Sequence, residues 1–214
     1  MPKISAATVA EHHARQRQAL LDAAVEILRD GGLPALTPAA VGRRAGLARS
    51  SVYQYFGSVA EIVATVVEEA FPPADRELAN ALAGIDDPIG RIDAYVTTTL
   101  RLGAAGAHRL AMALAGGDLP EPCRERLAEL HQAQAAPLAA AVADLGVAEP
   151  DLVTALVGGV VQAALARVDA GGDADATATA ALDLLHRGLA GMAPSAGSGR
   201  VARPRPAGVA GHRR

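Results

Sequence analysis

Residues 49–56, Arg-Ser-Ser-Val-Tyr-Gln-Tyr-Phe, put six groups that can meet DNA into one short stretch: Arg49, Ser50, Ser51, Tyr53, Gln54 and Tyr55. An arginine fork matches two acceptors at once, on a phosphate or on a base edge, and hydroxyls and amides complete such contacts. Val52 and Phe56, four apart, share one helix face and can pack inward while the polar groups face out.

These side chains have to be positioned by a helix pair. Thr37 is an N-cap residue, and Pro38 suits the first helical position because its missing N–H is not needed there. Ala40, Val41 and Ala45 share an apolar face, with Arg43 and Arg44 elsewhere on the helix. Gly46 then stops the helix in a left-handed conformation that glycine adopts without penalty, and Leu47 fills the angle before the second helix. In a helix-turn-helix the start of the second helix enters the major groove. An ordinary helix pair with solvated arginines is the alternative reading of the same pattern. An amphipathic helix over about residues 11–29, with Ala19, Leu20, Ala23, Ala24 and Ile27 inward, supplies the third wall of a small core. Gly31 and Gly32 end it, and residues 1–10 are expected to be flexible.

The segment closely resembles the DNA-binding domain of TetR-family repressors. Val41, Ala45-Gly46-Leu47, Tyr53-Gln54-Tyr55-Phe56 and Gly57-Ser58 occupy the places of that family's pattern over roughly residues 15–67. A lysine often follows the Gly-Ser pair in the family, and this chain has Val59, so one phosphate contact is missing. The resemblance implies Arg44, Arg49 and Ser50 as base-edge contacts and Thr37, Ser51, Tyr53 and Tyr55 as phosphate contacts, which set register but not sequence. It implies double-stranded operator DNA of near-palindromic sequence, a homodimer, an unknown small-molecule effector and the role of a repressor, while the sequence itself does not decide between repression and activation.

The 214 residues are half apolar and almost devoid of aromatics, with no Trp. Ala, Leu and Val must build the core, and these are at home in closely packed helices. No alternating strand pattern of useful length occurs, so the expected fold class is all-α. It comprises an N-terminal three-helix helix-turn-helix DNA-binding domain (1–57), a C-terminal helical effector-binding and dimerisation domain (58–192) and a disordered basic tail (193–214). The charge distribution agrees. Seven Lys/Arg stand against four Asp/Glu in residues 1–57, eight against nineteen in residues 58–192, and five against none in residues 193–214. A basic head on an acidic body is the electrostatic footprint expected of a DNA-facing module on one that faces elsewhere.

Cys123 is the single cysteine, which excludes an internal disulfide and a Cys-x-x-Cys site and fits a reducing cytoplasm. The longest uncharged run, residues 152–166, falls short of the ~20 residues that span a bilayer. The expectation is a cytoplasmic protein with no membrane segment. Six histidines lie at no metal-ligand spacing, and no phosphate loop or nucleophile motif occurs. No catalytic residue, metal or cofactor is expected.

Ser58 with Glu61 reads as a capping box opening a fourth helix, and Phe71-Pro72-Pro73 ends it. Helical patterns follow at about 74–83, 88–102, 108–115, 118–145, 150–170 and 173–192, with Pro137 expected to kink or break one of them. By resemblance the middle helices hold the effector. Tyr95, Thr99 and Leu102 form one mixed stripe, and Met112 and His131 can complete a pocket whose aliphatic walls suit an apolar ligand. Leu152, Leu156, Gly159, Ala163 and Ala166 form another stripe, and the last helix presents Ala181, Leu182, Leu185 and Leu189. In the resembling family two such helices pack against their copies, which assigns Leu152, Leu156, Gly159, Ala163, Leu182, Leu185 and Leu189 to a dimer interface. The alternative reading is a helical small-molecule-binding protein that no longer reads DNA specifically, with Val59 as its support.

Overall fold

The computed structural model describes residues 6–192, and the expected basic tail lies outside them. Ten helices and no strand occur among the described residues: α1 (Ala6–Ala35), α2 (Pro38–Arg44), α3 (Arg49–Val52), α4 (Val59–Ala70), α5 (Pro72–Leu82), α6 (Pro88–Ala104), α7 (Ala107–Ala115), α8 (Glu121–Asp144), α9 (Pro150–Asp169) and α10 (Ala174–Ala190).

Local chemistry sets most boundaries. The Thr37 hydroxyl accepts from the Ala40 N–H at 3.1 Å, and Ser58 accepts from Glu61 at the same distance. The Glu61 carboxylate turns back to accept from Gly57 N–H at 2.7 Å, closing a capping box displaced by one residue. Asp87 and Asp173 cap α6 and α10 in the same manner, each accepting from the backbone three residues on at 2.7 Å. Pro72 and Pro73 begin α5 rather than merely ending α4, since a proline N–H is not needed in a first turn.

Three expectations need correction. Helix α1 already begins at Ala6, so residues 6–10 belong to it, and only at Gly32 (φ 68°) does its backbone leave the helical region. Of the kink or break expected at Pro137, the break does not occur, because α8 continues through it to Asp144. Helix α3 is a single turn. After Val52 the chain tightens, with Gln54 N–H donating to Ser51 O and Tyr55 and Phe56 both donating to Val52 O, so residues 53–55 wind as turns.

Two apolar cores organise the helices. The first gathers Leu20, Ala24, Ile27 and Leu28 of α1 with Val41, Val52, Phe56 and the α4 residues Ile62, Val63, Val66 and Val67. It also takes in Leu110 and Leu114 of α7 and Cys123, Leu127 and Leu130 of α8. The packing therefore does not close at residue 57. Helix α1 is too long for α2 and α3 to cover, and its remaining apolar surface is buried by helices from later in the chain. The second core joins Leu78, Ile92, Val96 and Leu100 to Leu138, Val142, Val153, Val157, Val161 and Leu165, with Ala181, Leu185 and Leu189 of α10.

Candidate nucleic-acid interface and ligand cavity

Helices α2 and α3 cross closely because Gly42 is buried in the crossing. A Cβ there would lie 2.9 Å from Leu47 O and 3.1 Å from Val52 Cγ2. Gly46 (φ 71°) supplies the left-handed turn that its position predicts. Val41 and Val52 are fully buried beneath the pair. This anchoring leaves Thr37, Arg43, Arg49, Ser50, Tyr53 and Gln54 exposed and Ser51 half-buried. The Arg49 guanidinium lies 6.0 Å from the Tyr53 ring centroid, so ring and cation share one surface.

Two of the residues assigned to DNA contact are otherwise engaged. Arg44 Nη1 donates to Glu26 Oε2 at 3.2 Å and to Asp30 Oδ2 at 3.0 Å, both on α1. These bonds hold the guanidinium firmly in its charged form and offset its charge locally. The Tyr55 hydroxyl donates to Gln16 Oε1 at 2.5 Å, and its ring lies 4.4 Å from that of His13, so it serves first to fix α1 against the turn. Arg43, passed over in the sequence, is exposed and makes no ion pair among the described residues. Its neighbour takes the carboxylates of α1, a partition that spacing on α2 alone does not reveal.

Four of the five residues assigned to an effector pocket lie together. Tyr95, Thr99, Leu102 and His131 all line one cavity of about 130 Å³ between α1, α6, α7, α8 and α9. Met112 does not line it. That side chain is exposed and borders a shallower depression that shares Tyr95, His108, His131 and Gln134 with the cavity. The wall is also less aliphatic than expected, for Arg29, Phe71, His108, Gln134 and Gln162 contribute to it. Long-range packing brings them there from three further helices and from Phe71 at the α4–α5 junction. His108 Nδ1 lies 2.5 Å from Asp169 Oδ2, tying α7 to α9. Burial pushes the His131 imidazole below its usual range, against the pull of nearby Asp75, whose own carboxyl burial pushes up. Burial likewise raises the Tyr95 phenol, with Thr99 beside it acting in the opposite sense. Thr99 Oγ1 and Arg29 Nε are buried without a hydrogen-bond partner.

On the far side of the second core, Leu152, Leu156, Gly159 and Ala163 of α9 are exposed, the two leucines to 49% and 57%. The α10 assignment is largely corrected. Leu185 and Leu189 are buried in the chain's own core and Leu182 is half-buried, whereas the exposed leucine is Leu184. The helical period left either side of α10 available, and packing on α6 and α9 chose. Helix α9 is long and apolar enough to cross a membrane by length and composition, beyond the uncharged run read from the sequence. One face of it is the buried row Val153, Val157, Val161 and Leu165. Among the described residues no group of three His, Cys, Asp or Glu is placed to hold a metal ion.

Comparison with known proteins places this arrangement. Residues 20–66 match the family described as bacterial regulatory proteins, tetR family. The HTH-type transcriptional regulator BetI of Rhizobium meliloti (strain 1021) is 26% identical over 101 residues, and the match spans 47% of this chain and 47% of that protein. A TetR-like transcriptional regulator from Rhodococcus sp. RHA1 superposes with a TM-score of 0.71 at 22% identity, covering 83% of this chain and 97% of the other. FadR from Bacillus subtilis, solved in complex with stearoyl-CoA, gives 0.64 at 19% identity over 78% of this chain and 96% of that one. The helical architecture, with an N-terminal helix-turn-helix and a helical C-terminal part, is shared with these regulators.

Proposed function

We propose, from the chain's place in the tetR family of bacterial regulatory proteins, that it is a cytoplasmic homodimeric repressor released from a palindromic operator by a small molecule. The observation that carries this reading is the exposed row of Arg49 and Ser50 on the second helix and Tyr53 in the turn that follows it, in a helix-turn-helix whose inner residues are buried. Arg49 and Ser50 read base edges, and Thr37, Ser51 and Tyr53 hold phosphates. Arg43 joins them, and Arg44 and Tyr55 reach the backbone only by giving up their partners on α1. Nothing in this reading calls for catalysis, in keeping with a family of regulators rather than enzymes.

A dimer formed through the exposed α9–α10 face, with Leu152, Leu156, Gly159, Ala163 and Leu184, presents two such helices to successive major grooves, about 34–36 Å apart. Small residues at Gly159 and Ala163 permit close approach of the copies. The effector occupies the cavity at Tyr95, Thr99 and His131 and shifts the dimer toward a spacing that does not fit DNA. It does so only to the extent that it binds that state better.

Selection of bound sequences from a random duplex pool, at fixed salt, tests the proposal. A palindromic motif supports it. Salt-sensitive binding without any motif overturns it in favour of a ligand-binding protein that has lost specific DNA reading, a reading to which Val59, half-buried at the start of α4, lends support.

A further inference from the structure

Among the described residues Arg29 is the only Lys, Arg, Asp or Glu in the cavity wall, and it comes from α1, the helix that also backs the helix-turn-helix. Its Nε is buried and has no hydrogen-bond partner, and the guanidinium makes no ion pair among the described residues. The neighbouring carboxylates Glu26 and Asp30 are committed to Arg44. The Arg29 side chain is held by the α6–α7 turn. At Gly106 (φ 92°) even an added Cβ would come within 3.1 Å of Arg29 Nε and 3.3 Å of its Cζ.

An unpartnered N–H buried within a guanidinium cation is costly, and a carboxylate that accepts from Nε and an Nη together removes the cost. Thr99 Oγ1, buried beside the Tyr95 hydroxyl without a well-formed hydrogen bond, can donate one to the same group. Leu102, Leu110 and Leu165 provide apolar wall for the remainder of such a molecule.

We infer that the cavity binds a small amphiphilic carboxylate, its anionic head on Arg29 and Thr99 and a short apolar chain against the leucines. The inference rests on the cavity being the effector site, and it names the chemical class of the effector. Because Arg29 lies between Glu26 and Asp30 on α1, the head group acts on the same helical turn that holds Arg44.

The test is titration calorimetry of the full chain with butanoate, hexanoate and octanoate, each paired with its neutral amide. At least one acid is expected to bind, and its amide to bind about ten- to a hundredfold more weakly, the range that a charge-assisted hydrogen bond carries. Arg29→Gln should abolish the preference for the acid, Arg29→Lys should keep part of it, and Thr99→Val should weaken acid binding without affecting the amide. Equal affinity of acid and amide, an unchanged preference in Arg29→Gln, or no binding by any acid of the series overturns the assignment. If Arg29→Gln fails to fold, the Thr99→Val comparison and the acid–amide pairs decide alone. Duplex selection separates this from the proposed function. Acid binding without a selected motif sinks only the regulatory reading, and a selected motif without acid binding sinks only this one.

Discussion

Arg44 on α2 and Asp30 on α1 are joined by a 3.0 Å bond, and Glu26 shares the same Arg44 nitrogen at 3.2 Å. A cation in a helix-turn-helix is thus held by the helix behind it. The pair is exposed, so its contribution to stability is small. Its consequence is electrostatic. The double variant Glu26→Gln, Asp30→Asn should release Arg44 to the phosphates, tighten binding to any duplex and steepen the salt dependence by about one charge. Binding isotherms at several salt concentrations check this, and an unchanged slope means that Arg44 does not reach DNA.

Arg49 and Tyr53 should behave differently although they share a surface. Arg49→Ala should relax sequence preference at one base pair, at a cost of about 1–3 kcal/mol on the selected site. Tyr53→Ala should weaken specific and random duplexes alike. Competition between the selected site and random DNA measures both, and equal losses across the two DNAs for both variants would refute the division of roles.

Gly42→Ala forces a methyl group against Leu47 O and Val52 Cγ2, neither of which is a flexible chain end. The helix crossing must open, with an expected loss of about 1–3 kcal/mol. Denaturant unfolding should show it as a lower midpoint with an unchanged slope. Full retention of stability would place the tolerance of this crossing well above what its geometry indicates.

Leu156 and Leu189 separate assembly from folding. Leu156 is 57% exposed, so Leu156→Asp should yield a folded monomer in sedimentation with normal circular dichroism. Leu189 is 5% exposed, and Leu189→Asp should lose the folded state itself, because an unpaired charge would be buried. A Leu156→Asp chain that still sediments as a dimer would remove α9 from the interface.

Arg17 donates twice to Glu69, at 3.1 and 2.6 Å, and these bonds hold the Glu69 carboxyl below its usual range. A group with a depressed folded pKa stabilises above its unfolded pKa and loses that contribution as pH falls toward the folded value. The stability gap between the wild-type chain and Glu69→Gln should therefore be full at neutral pH and shrink on acidification below the ordinary carboxylate range. Chemical denaturation across that pH interval reads it. A gap independent of pH would show that the pair adds nothing to α1–α4 docking.

The helix-turn-helix was legible because its rules are local. Thr37, Pro38, Gly46 and Ser58 act on the backbone within four residues, and Val41, Val52 and Phe56 mark the inward face by period alone. The cavity was half legible. The stripe Tyr95, Thr99 and Leu102 lies on one helix, and the periodicity of α6 places all three in the wall. Arg29 lies 66 residues before Tyr95, and neither spacing nor composition ties it to that wall.

The sequence by itself determined the all-α class, most helix limits and the polar row from Arg49 to Gln54, since caps, breakers and helical period are short-range physics. Only the tertiary structure decided which leucines of α10 are inside, which arginine of the pair Arg43 and Arg44 is bound, and that α1 brings a cation into the cavity. The reason is common to all three. A helix with apolar or charged groups on more than one side has several allowed orientations, and the helices that pack against it select one.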